Sequence, residues 1–388
     1  MLKTSIRAMA IGIAGIAASQ ATADTIKIGV VGQFSGMFAD LGKKMSEGMN
    51  LYTKLHGDKI AGKKVEIILK DTGGPIGDVA KRLTTELVVR DKVQILTGYI
   101  GTPDALASLP IATQAKTPML MIQAATSGLT SKSPYAARLS YTLGQVAAPI
   151  GDWAAKNGIK TVFTIVADYG PGYDAEKAFT AAFTKAGGQI IGGVKPPLGN
   201  LDFAPFVQRA RDAKPDALFV FVPAGQTATA FLKMYHERGL AQAGIRIITT
   251  GDLVSESSLD AMGDAALGVI SAFHYSSAHD SPENKAFIKA FEEAYGTATR
   301  PDFLAMQAYD TMAVIYEIGN RLKGEINGDK FMQALKGFKL NSARGPIMIN
   351  PETRDVAQTI YLRKVEKRDN RLFNIEFDKV QSTGAALQ

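Results

Sequence analysis

From Thr25 onward, short apolar runs alternate with longer stretches in which apolar residues return every three or four positions. The runs at 25–31, 65–69, 93–97 and 119–122 predict strands, and the periodic stretches at 36–55, 77–90 and 102–114 predict helices between them. The alternation then restarts. Helices are predicted at 145–156, 174–186, 203–213 and 227–238, with strands at 161–167, 189–194, 216–222 and 245–249. A short helix at 257–262 and a strand at 268–273 follow, then helices at 283–295, 303–322 and 328–335. The tail reads as antiparallel strands at 347–349, 359–365 and 372–376, with turns at 351–354 and 368–370. Continuously apolar strands joined through helices specify parallel sheets covered on both faces. One sheet of ten or more strands is unusually wide. The pattern therefore predicts an α/β fold of two doubly wound parallel-sheet lobes, and with no low-complexity linker between them the chain is free to cross more than once.

The segment before Thr25 obeys a different rule. Met1 to Arg7 carries two cations and no acid, residues 8–18 are apolar, and Ala21-Thr22-Ala23 places small residues at a cleavage site. This is the pattern of a secretory signal peptide, with an apolar run too short to span a bilayer as a helix. Its removal leaves a chain that starts near Asp24, outside the cytoplasm. Of the net charge of +7, Lys3 and Arg7 belong to that segment. The clusters Lys43-Lys44, Lys63-Lys64 and 363–371, the last broken by Glu366 and Asp369, read as solvated faces, and no nucleic-acid partner is expected. With no Cys, disulfides, thiolate metal sites and cysteine nucleophiles are excluded.

Catalytic signatures are missing. His56, His236, His274 and His279 form no H-E-x-x-H, and His274, His279 and Asp280 lack the spacing of a metal site. There is no G-x-S-x-G elbow and no Walker-type phosphate loop. The glycines of Gly29-Val30-Val31-Gly32-Gln33-Phe34-Ser35-Gly36 are spaced wider than a dinucleotide fingerprint requires. Neither cofactor nor metal is expected, and a binding protein is favoured over an enzyme.

In open α/β sheets ligands sit beyond the carboxyl ends of the strands. After the third predicted strand come Gly98, Tyr99, Ile100, Gly101, Thr102, Pro103 and Asp104. Thr102-Pro103 opens a helix, whose free N–H groups and hydroxyl can hold a carboxylate without a basic side chain. After the fourth come Gln123, Ala124, Ala125, Thr126, Ser127 and Gly128, again small and hydroxylated. The second half offers Asp168-Tyr169-Gly170-Pro171-Gly172 and Thr249-Thr250-Gly251-Asp252 at strand ends. A buried acid at Asp252 needs a partner, supplied by a ligand ammonium or by the protein itself.

These residues, with IKIGVVGQFSGMFADLGKKMSEGMNL at 26–51 and ARGPIMINPETRDVAQTIYL at 343–362, resemble a type I periplasmic solute-binding protein of the branched-chain amino acid (leucine/isoleucine/valine) ABC transporter family. The resemblance covers the whole chain after the signal segment. It implies a signal peptide at 1–23, one lobe from 24–143 plus 276–355 and another from 144–275 plus 356–388, joined by a multi-crossover hinge. It implies that Thr102 and backbone amides hold a ligand carboxylate. The Ala124 carbonyl, Thr126 and Asp252 would share an α-amino group, with Gly101 and Ala125 alongside and Tyr169 covering the ligand. Delivery to an ABC permease and ATPase complex in the inner membrane follows, from a periplasmic protein expected to be a monomer. Leu41 and Ala224 stand where family members carry tyrosines, and Gly74 and Gly101 where typical members have a disulfide. Losing two aromatic walls enlarges or reshapes the pocket, and Phe38, Tyr99 and Tyr275 are the aromatic residues expected to refill it. A branched-chain or related amino acid is the first expectation; aromatic carboxylates, amides or urea-like solutes are the alternative, and a ligand-sensing role is a further one.

Overall fold

A computed structural model describes residues 25–385; the signal segment lies outside them. The first sheet is built from β1 (Thr25–Gly32), α1 (Ala39–His56), β2 (Lys59–Ile60), β3 (Lys63–Asp71) and α2 (Gly77–Val89). It continues through β4 (Ile95–Gly98), α3 (Thr102–Gln114), β5 (Met119–Met121) and β6 (Ala136–Arg138). Its order is β2-β3-β1-β4-β5-β6, parallel except for β2. After α4 (Leu143–Lys156) the second sheet begins with β7 (Thr161–Val166), α5 (Gly170–Lys185), β8 (Gln189–Val194) and α6 (Ala204–Asp212). Next come β9 (Ala217–Phe221), α7 (Gln226–Glu237), β10 (Arg246–Thr250), α8 (Leu259–Met262) and β11 (Ile270–Phe273). Strands β7 to β11 are parallel, and β9 is buried along its whole length, as a strand covered on both faces should be.

The chain then returns to the helices that cover the first sheet. After α9 (Pro282–Tyr295), α10 (Phe303–Arg321) packs along α1. The contact is so close that a Cβ at Gly48 would stand 2.0 Å from the Ala305 carbonyl oxygen, so only glycine fits there. Past α11 (Gly328–Leu335), β12 (Lys339–Ser342) and β13 (Gly345–Ile349) form a hairpin. The long strand β14 (Val356–Arg368) pairs with β13 at its start, then antiparallel with β11 and with β15 (Arg371–Ser382). The second sheet thus reads β12-β13-β14-β11-β10-β9-β7-β8, with β15 on β14.

The structure extends the sequence reading in places. Three short strands, β2, β6 and β12, fall in stretches to which the sequence pattern assigns no element, since two to four residues give no period to detect. Helix α5 starts at Gly170, not at 174, because Pro171 sits in its first turn, where proline is pre-set for a helix. The predicted helix at 36–55 opens with a separate 3₁₀ turn, Gly36–Phe38.

Candidate functional site

In each sheet one early strand lies between neighbours reached in opposite directions: β1 between β3 and β4, and β7 between β8 and β9. Such switch points leave a crevice at the carboxyl ends of the strands. The two crevices face each other across a cavity of about 580 Å³, its mouth included. The first sheet contributes Gln33 after β1, Ile100, Gly101 and Thr102 after β4, and Gln123 and Ala125 after β5. The second contributes Tyr169 and Pro171 after β7, Phe221, Pro223 and Ala224 at the end of β9, and Asp252 after β10. Phe38, Leu41, Leu143, Leu198, Phe303 and Leu304 complete apolar walls. Among the described residues no lysine or arginine lines the cavity.

The lobes touch around this space. The Ser127 backbone N–H and hydroxyl donate to Asp174 Oδ2 on α5 at 2.9 and 2.7 Å. A Cβ on Gly170 would stand 3.4 Å from Thr126 Oγ1 and 3.9 Å from Thr102 Cγ2. The first turns of α3 and α5 therefore approach one another, and their N–H groups, which have no partners within their helices, make a positive pole for an anion. The Thr102 and Thr126 hydroxyls lie 3.0 Å apart beside it.

A different chemistry occupies the Asp252 side. Asp252 is buried; its Oδ1 accepts from the Tyr141 hydroxyl at 2.6 Å and its Oδ2 from Thr250 at 2.8 Å. Gln123 Nε2 donates to Tyr141 Oη at 2.9 Å, so one polar chain joins the lobes. Burial raises the Asp252 carboxyl above its ordinary value, against the two hydroxyls and the nearby Arg363 charge. Burial, and then Asp252, hold both Tyr141 and Tyr169 above the usual phenol range, so both remain protonated. Gln33 Nε2 donates to Asp104 Oδ2 in the first turn of α3. Burial pushes Asp104 up to about 7, more than Thr72, Gln33 and the Ile76 N–H can offset.

Between the unfolded carboxylate value of about 4 and about 7, native Asp104 keeps a proton that the unfolded chain releases. Its contribution to stability therefore falls as pH rises through that window. In Asp104→Asn the difference in melting temperature from the parent should change across pH 4–8 in the direction of relative stabilisation at high pH; a flat difference would refute the assignment.

The residues anticipated from sequence divide into two groups. Phe38, Gly101, Thr102, Ala125, Tyr169 and Asp252 line the cavity, and Thr126 stands just behind Thr102. Tyr99, Ala124 and Tyr275 do not line it. Tyr99 has φ 58°, which turns its ring into the core, where its hydroxyl bonds Thr84; it cannot refill the pocket. Tyr275 is fully buried with its hydroxyl on Asn284. The Ala124 carbonyl accepts from Arg138 Nη1 at 2.8 Å, so it is turned toward the protein and away from an incoming amine. His274 is buried against Gln307, and His279 pairs with Glu376. Among the described residues no group of three or more His, Cys, Asp or Glu is placed to hold a metal ion. The sequence reading missed Tyr141 and Leu143, which lie in the passage between lobes where no strand end marks them, and Phe303 and Leu304, which α10 returns from far along the chain.

Two α/β lobes meeting at their switch points around a largely apolar cleft define a two-lobed solute-binding protein. The chain belongs to the periplasmic binding protein family, whose profile matches residues 25–370. It is 42% identical over 385 residues to Leu/Ile/Val-binding protein homolog 6 of Brucella melitensis biotype 1, covering 99% of this chain and 98% of that one. A solute binding protein of an ABC transporter from Rhodopseudomonas palustris BisB5, solved with 3,4-dihydroxybenzoic acid, shares 49% identity at a TM-score of 0.90, over 93% of this chain and 98% of the other. The solute binding protein from Rhodopseudomonas palustris HaA2, solved with p-hydroxybenzoic acid, shares 40% identity at a TM-score of 0.90, over 92% and 98%. Among the described residues no helix is long and apolar enough to cross a membrane.

Proposed function

We propose that this protein is the periplasmic solute-binding component of an ABC importer and that its cargo is a small aromatic carboxylic acid of the hydroxybenzoate type. The observation that carries the reading is how the would-be amine receptors are used. The Ala124 carbonyl is engaged by Arg138, and each Asp252 oxygen already accepts a hydroxyl proton within the protein. These acceptors are thus already satisfied inside the protein and do not call for a ligand ammonium, and an aromatic acid needs none of them. Leu41 and Ala224, in place of tyrosines, leave room for a ring between apolar walls. In this pose the carboxylate lies at the first turns of α3 and α5, held by Thr102 and backbone amides with Gly101 and Ala125 beside them, and Tyr169 closes over it. The Rhodopseudomonas palustris relatives, solved with hydroxybenzoic acids, support the same cargo. The lobes would be 24–143 plus 276–355 and 144–275 plus 356–388, closing as a monomer on the solute and presenting it, chemically unchanged, to the permease and its ATPase.

The name of the Brucella relatives favours a second reading, a branched-chain amino acid. Titration calorimetry with 4-hydroxybenzoate, benzoate and L-leucine separates the two. Saturable binding of the aromatic acids with no heat from leucine is expected; leucine binding with silent aromatic acids would replace the first reading by the second.

A further inference from the structure

Gln123 lines the cavity and takes no part in the carboxylate pose, and the hydrogen bonds of its side chain can be followed one by one. Tyr141 has a single hydroxyl proton, and the 2.6 Å contact commits it to the acceptor Asp252. The edge of the Gln123 amide that faces Tyr141 must therefore be its NH₂, donating at 2.9 Å. Gln123 Oε1 is then the other edge of the same amide. It is buried, it has no hydrogen-bond partner, and Gln123 is 8% exposed in the cavity wall. A buried acceptor without a donor is costly and calls for a partner.

Gln33 Oε1 is also without a partner, but the Gln33 amide rests on Asp104, whose Oδ1 is itself unpaired, whereas both Asp252 oxygens accept hydroxyl protons; the Gln33 orientation is therefore not fixed in the same way. Gln123 is held on one side by Tyr141, Asp252 and Thr250, and on the backbone side by the Ser140 hydroxyl, which donates to the Gln123 carbonyl at 2.7 Å. It is an acceptor held on the Asp252 side of the cavity, next to a carboxyl whose two oxygens are both turned to hydroxyl donors of the protein.

We infer that Gln123 Oε1, oriented by Tyr141 and Asp252, accepts the hydroxyl proton of a phenolic ring, and that the site thereby selects hydroxylated over unsubstituted benzoates. This rests on the aromatic-acid reading above and adds to it the residue that reads the ring substituent. The hydroxyl enters as a neutral phenol: its ordinary value is near that of tyrosine, about 10, and burial beside Asp252 disfavours the phenolate further. A site built to bond a substrate hydroxyl rejects the analogue that lacks it, because the acceptor is then left buried and unpaired.

The test is a ligand series against one variant, read by titration calorimetry. In the parent protein 4-hydroxybenzoate should bind at least about fivefold more tightly than benzoate, the lower end of what an otherwise unpaired buried acceptor supplies. The donor-bearing 4-aminobenzoate should outbind 4-methoxybenzoate, which can only accept. In Gln123→Met the ratio of benzoate to 4-hydroxybenzoate dissociation constants should fall toward one. Equal parent affinities for benzoate and 4-hydroxybenzoate, a preference for the methoxy over the amino compound, or an unchanged ratio in the variant would each overturn the inference. The parent series decides the matter even if the variant does not fold. Failure of every aromatic acid to bind would instead overturn the proposed cargo, so the two failures are distinguishable.

Discussion

Replacing Arg363 with methionine should lower the unfolding free energy by about 3–5 kcal/mol, the usual consequence of removing one partner from a buried ion pair. Arg363 is fully buried, and its Nη1 pairs with Glu256 Oε1 at 3.3 Å and donates to the Tyr275 carbonyl. Nη2 donates to Ser271 Oγ at 3.1 Å, and the guanidinium lies 5.1 Å from the Phe273 ring centre. Without it, Glu256, 1% exposed, keeps only Asn374 Nδ2 at 2.9 Å among its side-chain partners. Burial already holds Glu256 above its ordinary value against the arginine's attraction, so the variant should be still more costly at neutral pH, where the acid must ionise or take up a proton. Urea denaturation measures the loss. Adding Glu256→Gln to Arg363→Met should recover part of it, because the uncompensated charge is then gone; a loss below about 1 kcal/mol, the range of exposed ion pairs, would refute the argument.

Thr102→Val should weaken binding of 4-hydroxybenzoate by roughly 10- to 100-fold, since a hydrogen bond to a charged group contributes about 1.5–3 kcal/mol and each 1.4 kcal/mol is tenfold. Valine keeps the shape of threonine and the first turn of α3, so the change isolates the hydroxyl. Thr126 Oγ1, now 3.0 Å from that hydroxyl, loses its neighbour as well. Benzoate should weaken by the same factor, because the carboxylate is common to both ligands; this separates the anion end from the ring end read by Gln123. Unchanged affinity in calorimetry would place the carboxylate elsewhere.

Most of the architecture was legible because the local signals were strong. Helix α3 was bounded correctly at 102–114 by Thr-Pro at its start, and β8 and α11 fell where their periodicity placed them. Short edge strands such as β2 lacked enough residues to show a pattern. The site was half legible. The rule that ligands lie past strand ends located Thr102, Ala125, Tyr169 and Asp252, but it says nothing about which way a side chain turns. Tyr99 follows Gly98 at a strand end, yet its left-handed backbone sends the ring inward. Tyr141 and Phe303 reach the cavity only through the tertiary path of the chain, which no local pattern encodes.

The chain passes from the first sheet to the second through α4, comes back when α10 packs on α1, and leaves again along β14, which pairs first with β13 and then with β11. A single cut by a protease in any one of these passages would leave the halves tethered by the others. The same tethering limits how far the halves could slide or drift apart, because each crossing holds them at a separate point of the chain.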